Sequence, residues 1–348
     1  MSTLIPMPSQ PVGTPWPVRD WPVAEPPAKI AGQLHALLDT VFAEPQPETT
    51  VQTNALLVVH RRRIVAERYA PGISATDTQH SWSMAKSILS ALFGLLVRDG
   101  KLHIEDRAPI EAWQQPGDQR AAITIDSLLH MTSGLHFVED YLDDQVSDTI
   151  KMLFRPGAQD TGAFAAAFPL DHPPDTFFNY ASGTSNILSS IARDVLGGQD
   201  AYASYLRAEL FDPIGMSSAT PKFDASGSWI GSTFCYCTAR DFARFGLFYL
   251  RDGCWNGNRI LPAGWVDYCR TQGPVHPGHP DYYYGYGAQW WLIDDRFGSF
   301  YASGYSGQRI VIVPALDLII VRLGDTPVAR RIYLVQTIST IIELFATV

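Results

Sequence analysis

The sequence predicts an α+β fold, an antiparallel sheet flanked by helices and joined to a second, mostly helical domain. Three observations predict it. Strand-like apolar runs occur at both ends of the chain, at 54–60 and 64–70 and again at 288–293, 299–302, 309–313 and 318–323. Between them, from about 102 to 216, apolar residues recur at helical spacing and are divided by Pro- and Gly-rich loops. Of the 348 residues 46% are hydrophobic and only 18% charged, which supplies a large core and excludes disorder. The economical topology builds one sheet from both ends of the chain. It divides the sequence into an arm (1–28), an α/β domain with the antiparallel sheet (29–100 and 217–348) and a mostly helical domain (101–216).

Taken in order, eight of the 25 prolines precede Ala28, so the arm is extended. A helix follows over 30–42. The runs 54–60 and 64–70 form a hairpin joined by Arg61, Arg62 and Arg63, a polar tip expected to face water. Residues 83–98 place Met84, Ile88, Leu89, Leu92, Leu95 and Leu96 at helical spacing, with Gly100 as the stop. Helices are expected over 124–131, 185–196 and 199–210. Thr238-Ala-Arg-Asp241 reads as a capping box opening a helix to Leu250. The four C-terminal strands lead into a helix from Arg330. Its apolar run is broken by Gln336, Thr337, Ser339 and Glu343, the pattern of an amphipathic helix rather than a membrane span.

The 26 Lys+Arg and 35 Asp+Glu give a net charge of −9, with no basic run beyond Arg61–Arg63. Phosphate-backbone binding needs clustered cations, so no nucleic-acid partner is expected. The first residues show neither the basic segment nor the apolar segment of a secretory leader. Four cysteines are too few for a disulfide framework, and Cys235-Tyr-Cys237 is too tight for an ordinary bridge. A cytoplasmic protein with reduced thiols is expected, with no membrane partner and a homodimer left open.

The informative motif is Ser83-Met84-Ala85-Lys86, at the start of the strongest helix. Positions i and i+3 share a helix face, so hydroxyl and amine can touch. A serine hydroxyl is a weak nucleophile until a base takes its proton. A lysine at its ordinary pKa of about 10.4 is no base at neutral pH. Burial and the positive end of a helix dipole both disfavour the ammonium. A helix start also aims backbone N–H groups at a developing oxyanion. Ser-x-x-Lys on its own is a common accident. Of the five lysines, however, only Lys86 follows a serine by three residues, and it stands in an otherwise apolar helix.

A tyrosine to relay protons is sought next. Tyr-Ala-Ser occurs three times, at Tyr180, Tyr202 and Tyr301. Tyr202 falls in an amphipathic helix and Tyr301 in a strand, whereas Tyr180 stands in a loop feeding a helix, where functional side chains are displayed. Tyr180 is favoured. His276-Pro-Gly-His279 has the bare spacing of a metal pair but no third ligand, so no metal or cofactor is expected. Asp171-His172 reads as a loop pair rather than part of a Ser-His-Asp triad. Tyr282, Tyr283, Tyr284, Tyr286, Trp290 and Trp291 form an aromatic cluster that either packs a core or lines an apolar cleft.

With these residues the chain resembles the serine β-lactamase and penicillin-binding-protein superfamily, whose first motif is Ser-x-x-Lys. The likeness is closer to the class C branch, with its family VIII esterases and 6-aminohexanoate-dimer hydrolases. It covers roughly 50–345 and includes Ile123-Thr-Ile-Asp-Ser-Leu-Leu-His-Met-Thr-Ser-Gly-Leu135, Leu210-Phe-Asp-Pro-Ile-Gly-Met216 and the 238–253 helix. The resemblance implies a β-lactamase/transpeptidase-like fold. It implies Ser83 as nucleophile, Lys86 as its partner and Tyr180 as general acid/base, with Ser182 where the branch often has Asn. In the place of the third motif stands Ala302-Ser303-Gly304-Tyr305. Gly304 permits close backbone approach, the N–H of Tyr305 pairs with that of Ser83 as oxyanion donors, and Ser182 and Ser303 border the substrate. Ala302 replaces the usual cation.

The expected function is therefore a serine hydrolase that cleaves a small amide or ester through an acyl-enzyme. A 6-aminohexanoate-dimer-hydrolase-type amidase or a carboxylesterase fits best. β-Lactamase or D-amino-acid peptidase activity, or a catalytically silent binding protein on the same scaffold, are the alternatives.

Overall fold

The structure is a computed structural model that describes residues 4–43, 51–143, 145–278 and 285–348. Helix α1 (Ala28–Val41) leads to the hairpin β1 (Gln52–His60) and β2 (Arg63–Tyr69). A short strand β3 (Gln79–His80) precedes α2 (Met84–Arg98). The middle of the chain carries α3 (Ile125–Leu129), α4 (Asp148–Phe154), α5 (Thr161–Ala166), α6 (Ser182–Leu196) and α7 (Gln199–Tyr205), which opens into a π-helical stretch over Leu206–Phe211. Then come β4 (Thr220–Pro221), β5 (Cys235–Cys237), α8 (Ala239–Leu250), the hairpin β6 (Cys254–Trp255) and β7 (Asn258–Arg259), and α9 (Trp265–Cys269). The tail holds β8 (Trp291–Leu292), β9 (Phe300–Gly304), β10 (Gln308–Val313), β11 (Leu318–Asp325) and α10 (Arg331–Phe345).

The main sheet runs β2-β1-β11-β10-β9-β8 and is antiparallel throughout. Both of its faces are covered, which is why its strands read as unbroken apolar runs rather than alternating ones. Ala55, Leu57 and Val59 of β1 face the larger core with α2 and α8. Leu56 and Val58 face the opposite way, onto Ile30, Leu34 and Leu38 of α1 and Leu334, Ile338 and Ile341 of α10. Helix α8 can lie flat on the sheet because residue 246 is glycine; a Cβ there would come within 2.9 Å of Ile310 and Ile319.

Four expectations are amended. The hairpin tip does not simply face water: Arg62 is buried under the N-terminal arm, where it donates to the Pro11 carbonyl and lies 4.9 Å over the Trp16 ring. The arm is extended as expected, but it is clasped to the body, since Arg244 donates to the carbonyls of Pro17 and Arg19. Thr238 caps α8 through the Asp241 N–H, but the Asp241 carboxylate does not return the bond. It binds Ser218 and Arg244 instead. The strand expected over 288–293 shrinks to Trp291–Leu292. Among the described residues no helix is long and apolar enough to cross a membrane.

Candidate active site

The site begins at the turn into α2. Ser81 is pinned from both ends, its N–H to the Cys235 carbonyl (2.9 Å) and its hydroxyl to the Thr233 carbonyl (2.9 Å). Trp82 then adopts φ +47°, the left-handed region, which a non-glycine residue holds only at a cost of roughly 1–3 kcal/mol. That kink delivers Ser83 to the N-cap position of α2. A serine there usually caps with its hydroxyl. Ser83 does not, and its Oγ accepts from Lys86 Nζ at 3.0 Å instead.

Lys86 is 1% exposed. Its three N–H bonds go to Ser83 Oγ (3.0 Å), Ser182 Oγ (3.0 Å) and the Ser232 carbonyl (2.9 Å), and Nζ lies 5.0 Å over the Tyr180 ring. Burial pulls its pKa down to about 8, a fall that the Glu139 carboxylate partly opposes.

Ser182 is the first residue of α6, three residues earlier than the helix expected at 185, and is fully buried. Its N–H and its hydroxyl both donate to Glu139, each at 2.7 Å. The same carboxylate accepts from Thr149 Oγ1 (2.9 Å) and from the Tyr141 hydroxyl. Tyr180 stands in the loop before α6. Its ring packs 5.3 Å from Trp291 and 6.0 Å from Tyr286. Met131, itself at φ +60°, fixes that loop by accepting the Asn179 N–H on its carbonyl and the Ala181 N–H on its sulfur.

The far wall is the end of β9. A Cβ at position 304 would collide with the Ser81 carbonyl, so only glycine lets β9 close on the turn before Ser83. Tyr305 follows, its ring 5.2 Å from Trp82 and 4.8 Å from Tyr141. Ser306 (φ +56°) and Gly307 complete the turn, braced by buried Arg322, which donates to both of their carbonyls, to Thr53 Oγ1 and to the Gln52 carbonyl. Burial pushes the Arg322 guanidinium down to about 10, with nearby Arg309 adding to the fall.

The structure thus gathers Ser83, Lys86, Tyr180, Ser182, Gly304 and Tyr305. Ser303 is placed differently. Strand alternation turns Ala302 into the main core and Ser303 to the opposite face, paired with Arg309 of β10. Of the two readings of the aromatic cluster, Trp290 takes core packing: it is fully buried against Phe245, Tyr249 and Phe300, whereas Tyr286 and Trp291 pack beside Tyr180. Residues 282–284 and His279 lie outside the described residues. Asp171 is engaged with His136 at 2.7 Å, His172 stacks on Phe177, and Tyr202 is buried against Ser189. Tyr301 lies on β9 beneath Arg309. No cluster of three or more potential metal ligands occurs among the described residues. Sequence reasoning missed Glu139, Tyr141 and the Ser232 carbonyl. The acidic pair Glu139-Asp140 in a loop was the only signal for the first, and a backbone carbonyl leaves none.

Comparison with known proteins gives a family and a fold. The Beta-lactamase family model matches residues 38–331. The 6-aminohexanoate-dimer hydrolase of Paenarthrobacter ureafaciens is 26% identical over 318 residues, 86% of this chain and 80% of that protein. Among solved structures, a provisionally named 6-aminohexanoate-dimer hydrolase from Bacillus anthracis superposes with a TM-score of 0.76 at 23% identity, covering 92% of this chain and 86% of the other. A penicillin-binding protein from Bacillus halodurans gives 0.65 at 18% identity, with 88% and 99% covered. At such identities the two structures establish the fold.

Proposed function

The chain belongs to the Beta-lactamase family, and from that premise we propose that it is a serine hydrolase cleaving small amides or esters through an acyl-enzyme on Ser83. The observation that carries the reading is the Lys86 amine, 3.0 Å from Ser83 Oγ in a site that lowers its pKa to about 8. An appreciable fraction of the amine is then neutral near neutral pH. Its lone pair takes the Ser83 proton as Oγ attacks the substrate carbonyl. The N–H groups of Ser83 and Tyr305 receive the oxyanion. Tyr180, beneath Lys86, hands the proton to the leaving group. Water then repeats the sequence on the acyl-enzyme.

Substrate type is argued from the walls. Trp82, Tyr141 and Tyr305 form an aromatic rim beside Ser83, suited to a short, uncharged, linear acyl group. The relative named as a 6-aminohexanoate-dimer hydrolase supports an amidase acting on linear amides, and a carboxylesterase uses the same parts. The four cysteines, all free in the structure, support a reducing, cytoplasmic setting. A fluorophosphonate probe followed by peptide mapping should place the label on Ser83, and Ser83→Ala should remove hydrolysis of p-nitrophenyl butyrate while the protein stays folded. Comparable turnover by the folded variant would refute the covalent mechanism.

A further inference from the structure

Lys86 Nζ has three oxygens within hydrogen-bond distance, enough to satisfy all three donors of an ammonium. To act as a base it must first shed one proton, and the three branches are not equivalent. Ser83 is the group it must deprotonate. The Ser232 carbonyl can accept a hydrogen bond but cannot pass a proton on. Ser182 alone does both, since its Oγ accepts from Lys86 at 3.0 Å while its own O–H donates to Glu139 Oε1 at 2.7 Å.

We propose that Glu139 is the positioning residue that governs the charge on Lys86, receiving through the Ser182 hydroxyl the proton the amine must lose. The inference rests on the serine-hydrolase reading above. The step balances as follows. The Lys86 N–H bond directed at Ser182 breaks as a new O–H forms on Ser182 Oγ; the original Ser182 O–H breaks and its proton joins Glu139 Oε1. A neutral amine and a carboxylic acid replace the ammonium and the carboxylate. A one-third turn about Cε–Nζ then aims the nitrogen lone pair at the Ser83 hydroxyl.

The surroundings favour this role. Glu139 is held by four donors: the Ser182 N–H, the Ser182 hydroxyl, Thr149 and Tyr141. It is therefore placed rather than mobile. Among the described residues, α2, α6 and the 232 turn offer Lys86 hydroxyls and a carbonyl, and the titratable groups that face it are Glu139 and Tyr180, with Tyr141 behind Glu139. Glu139 is the group whose charge opposes the effect of burial on Lys86. Tyr141 connects it to the rim, because its ring stacks on Tyr305.

The test is the pH dependence of p-nitrophenyl butyrate hydrolysis by wild type, Glu139→Gln and Ser182→Ala, with Ser83→Ala alongside. Removing the carboxylate makes the Lys86 ammonium less favourable, so in Glu139→Gln the acidic limb of kcat/KM should move to lower pH, by about one unit or more for an opposite charge at this range. Ser182→Ala keeps the charge but breaks the chain, so at pH values below the limb, where the amine starts protonated, its rate should fall by about 10²-fold, the low end for lost proton transfer, while the midpoint of the limb stays in place; Ser182→Thr should recover the rate. If Glu139→Gln does not fold, Glu139→Asp must hold the wild-type limb with a reduced rate below it. An unmoved or upward limb in Glu139→Gln, or an undiminished rate below the limb in Ser182→Ala, overturns the proposal. Activity surviving in Ser83→Ala would instead overturn the underlying hydrolase reading.

Discussion

Replacing Lys86 by methionine should make the protein inactive and, at neutral pH, relieve it of a buried charge. The size of the relief follows from the pKa, about 8 in the fold against an ordinary 10.5. Below about pH 8 both folded and unfolded chains carry the ammonium, and the fold bears the whole penalty. Between 8 and 10.5 only the unfolded chain binds the proton, so stability rises with pH; above 10.5 the penalty is gone. With roughly 1.36 kcal/mol per pKa unit, the penalty is about 3 kcal/mol at pH 7 and falls to about 1 kcal/mol at pH 10. Lys86→Met also loses the three hydrogen bonds of Nζ, a loss that offsets the gain by an amount that varies little with pH. The measurable quantity is therefore the change in the difference. Guanidinium unfolding of both proteins at pH 7 and pH 10 should show the stability of Lys86→Met relative to wild type falling by about 2.5 kcal/mol over that interval. Groups common to both proteins cancel. A difference that stays constant with pH, or that grows, would mean that Lys86 keeps an ordinary pKa and cannot serve as the base.

Tyr180→Phe should lower kcat by about 10²–10⁴-fold on amides, and less on p-nitrophenyl esters, whose leaving group departs without a proton; an equal loss on both would make Tyr180 a packing residue against Trp291. Nitrocefin should be turned over at least about tenfold less efficiently than p-nitrophenyl butyrate, because Ala302 is buried in the core and a substrate carboxylate forgoes a charge-assisted hydrogen bond worth roughly 1.5–3 kcal/mol. Comparable kcat/KM values would refute this, and Arg309→Ala would then show whether the guanidinium opposite Ser303 is the cation in use.

What the sequence made legible is what is local. Ser83 and Lys86 stand one helical turn apart, so spacing alone brings hydroxyl to amine. The long strands were legible because burial on both faces leaves apolar runs such as Ile310–Val313, whereas β8, two residues at the sheet edge, is set by its partner and not by its own pattern. The rest of the site is assembled by distance. Ser182 meets Lys86 across 96 residues and Glu139 across 43, separations at which a hydroxyl and a carboxylate carry no mutual signal. Aromatic type does not disclose a face either. Trp290 and Trp291 are adjacent, yet one fills the core and the other lies beside Tyr180. Ser303 and Ala302 differ for the same reason, one position reversing the face of a strand.

The strand order has a consequence for how the chain is made. β11 lies between β1 and β10, so Gln52–His60 pair with residues synthesised some 265 positions later. At roughly 5–20 residues per second, the β1–β2 hairpin leaves the ribosome about 15–50 s before its neighbour exists. During that interval Leu56, Leu57, Val58 and Val59, bound for cores on opposite sides of the sheet, have only the early parts of each, α1 on one side and α2 on the other, and lack α8, α10 and the C-terminal strands. The chain is thus exposed to off-pathway association throughout its own translation. Holdase chaperones, low expression temperature and slow induction should raise the soluble yield more than any change made to the finished surface.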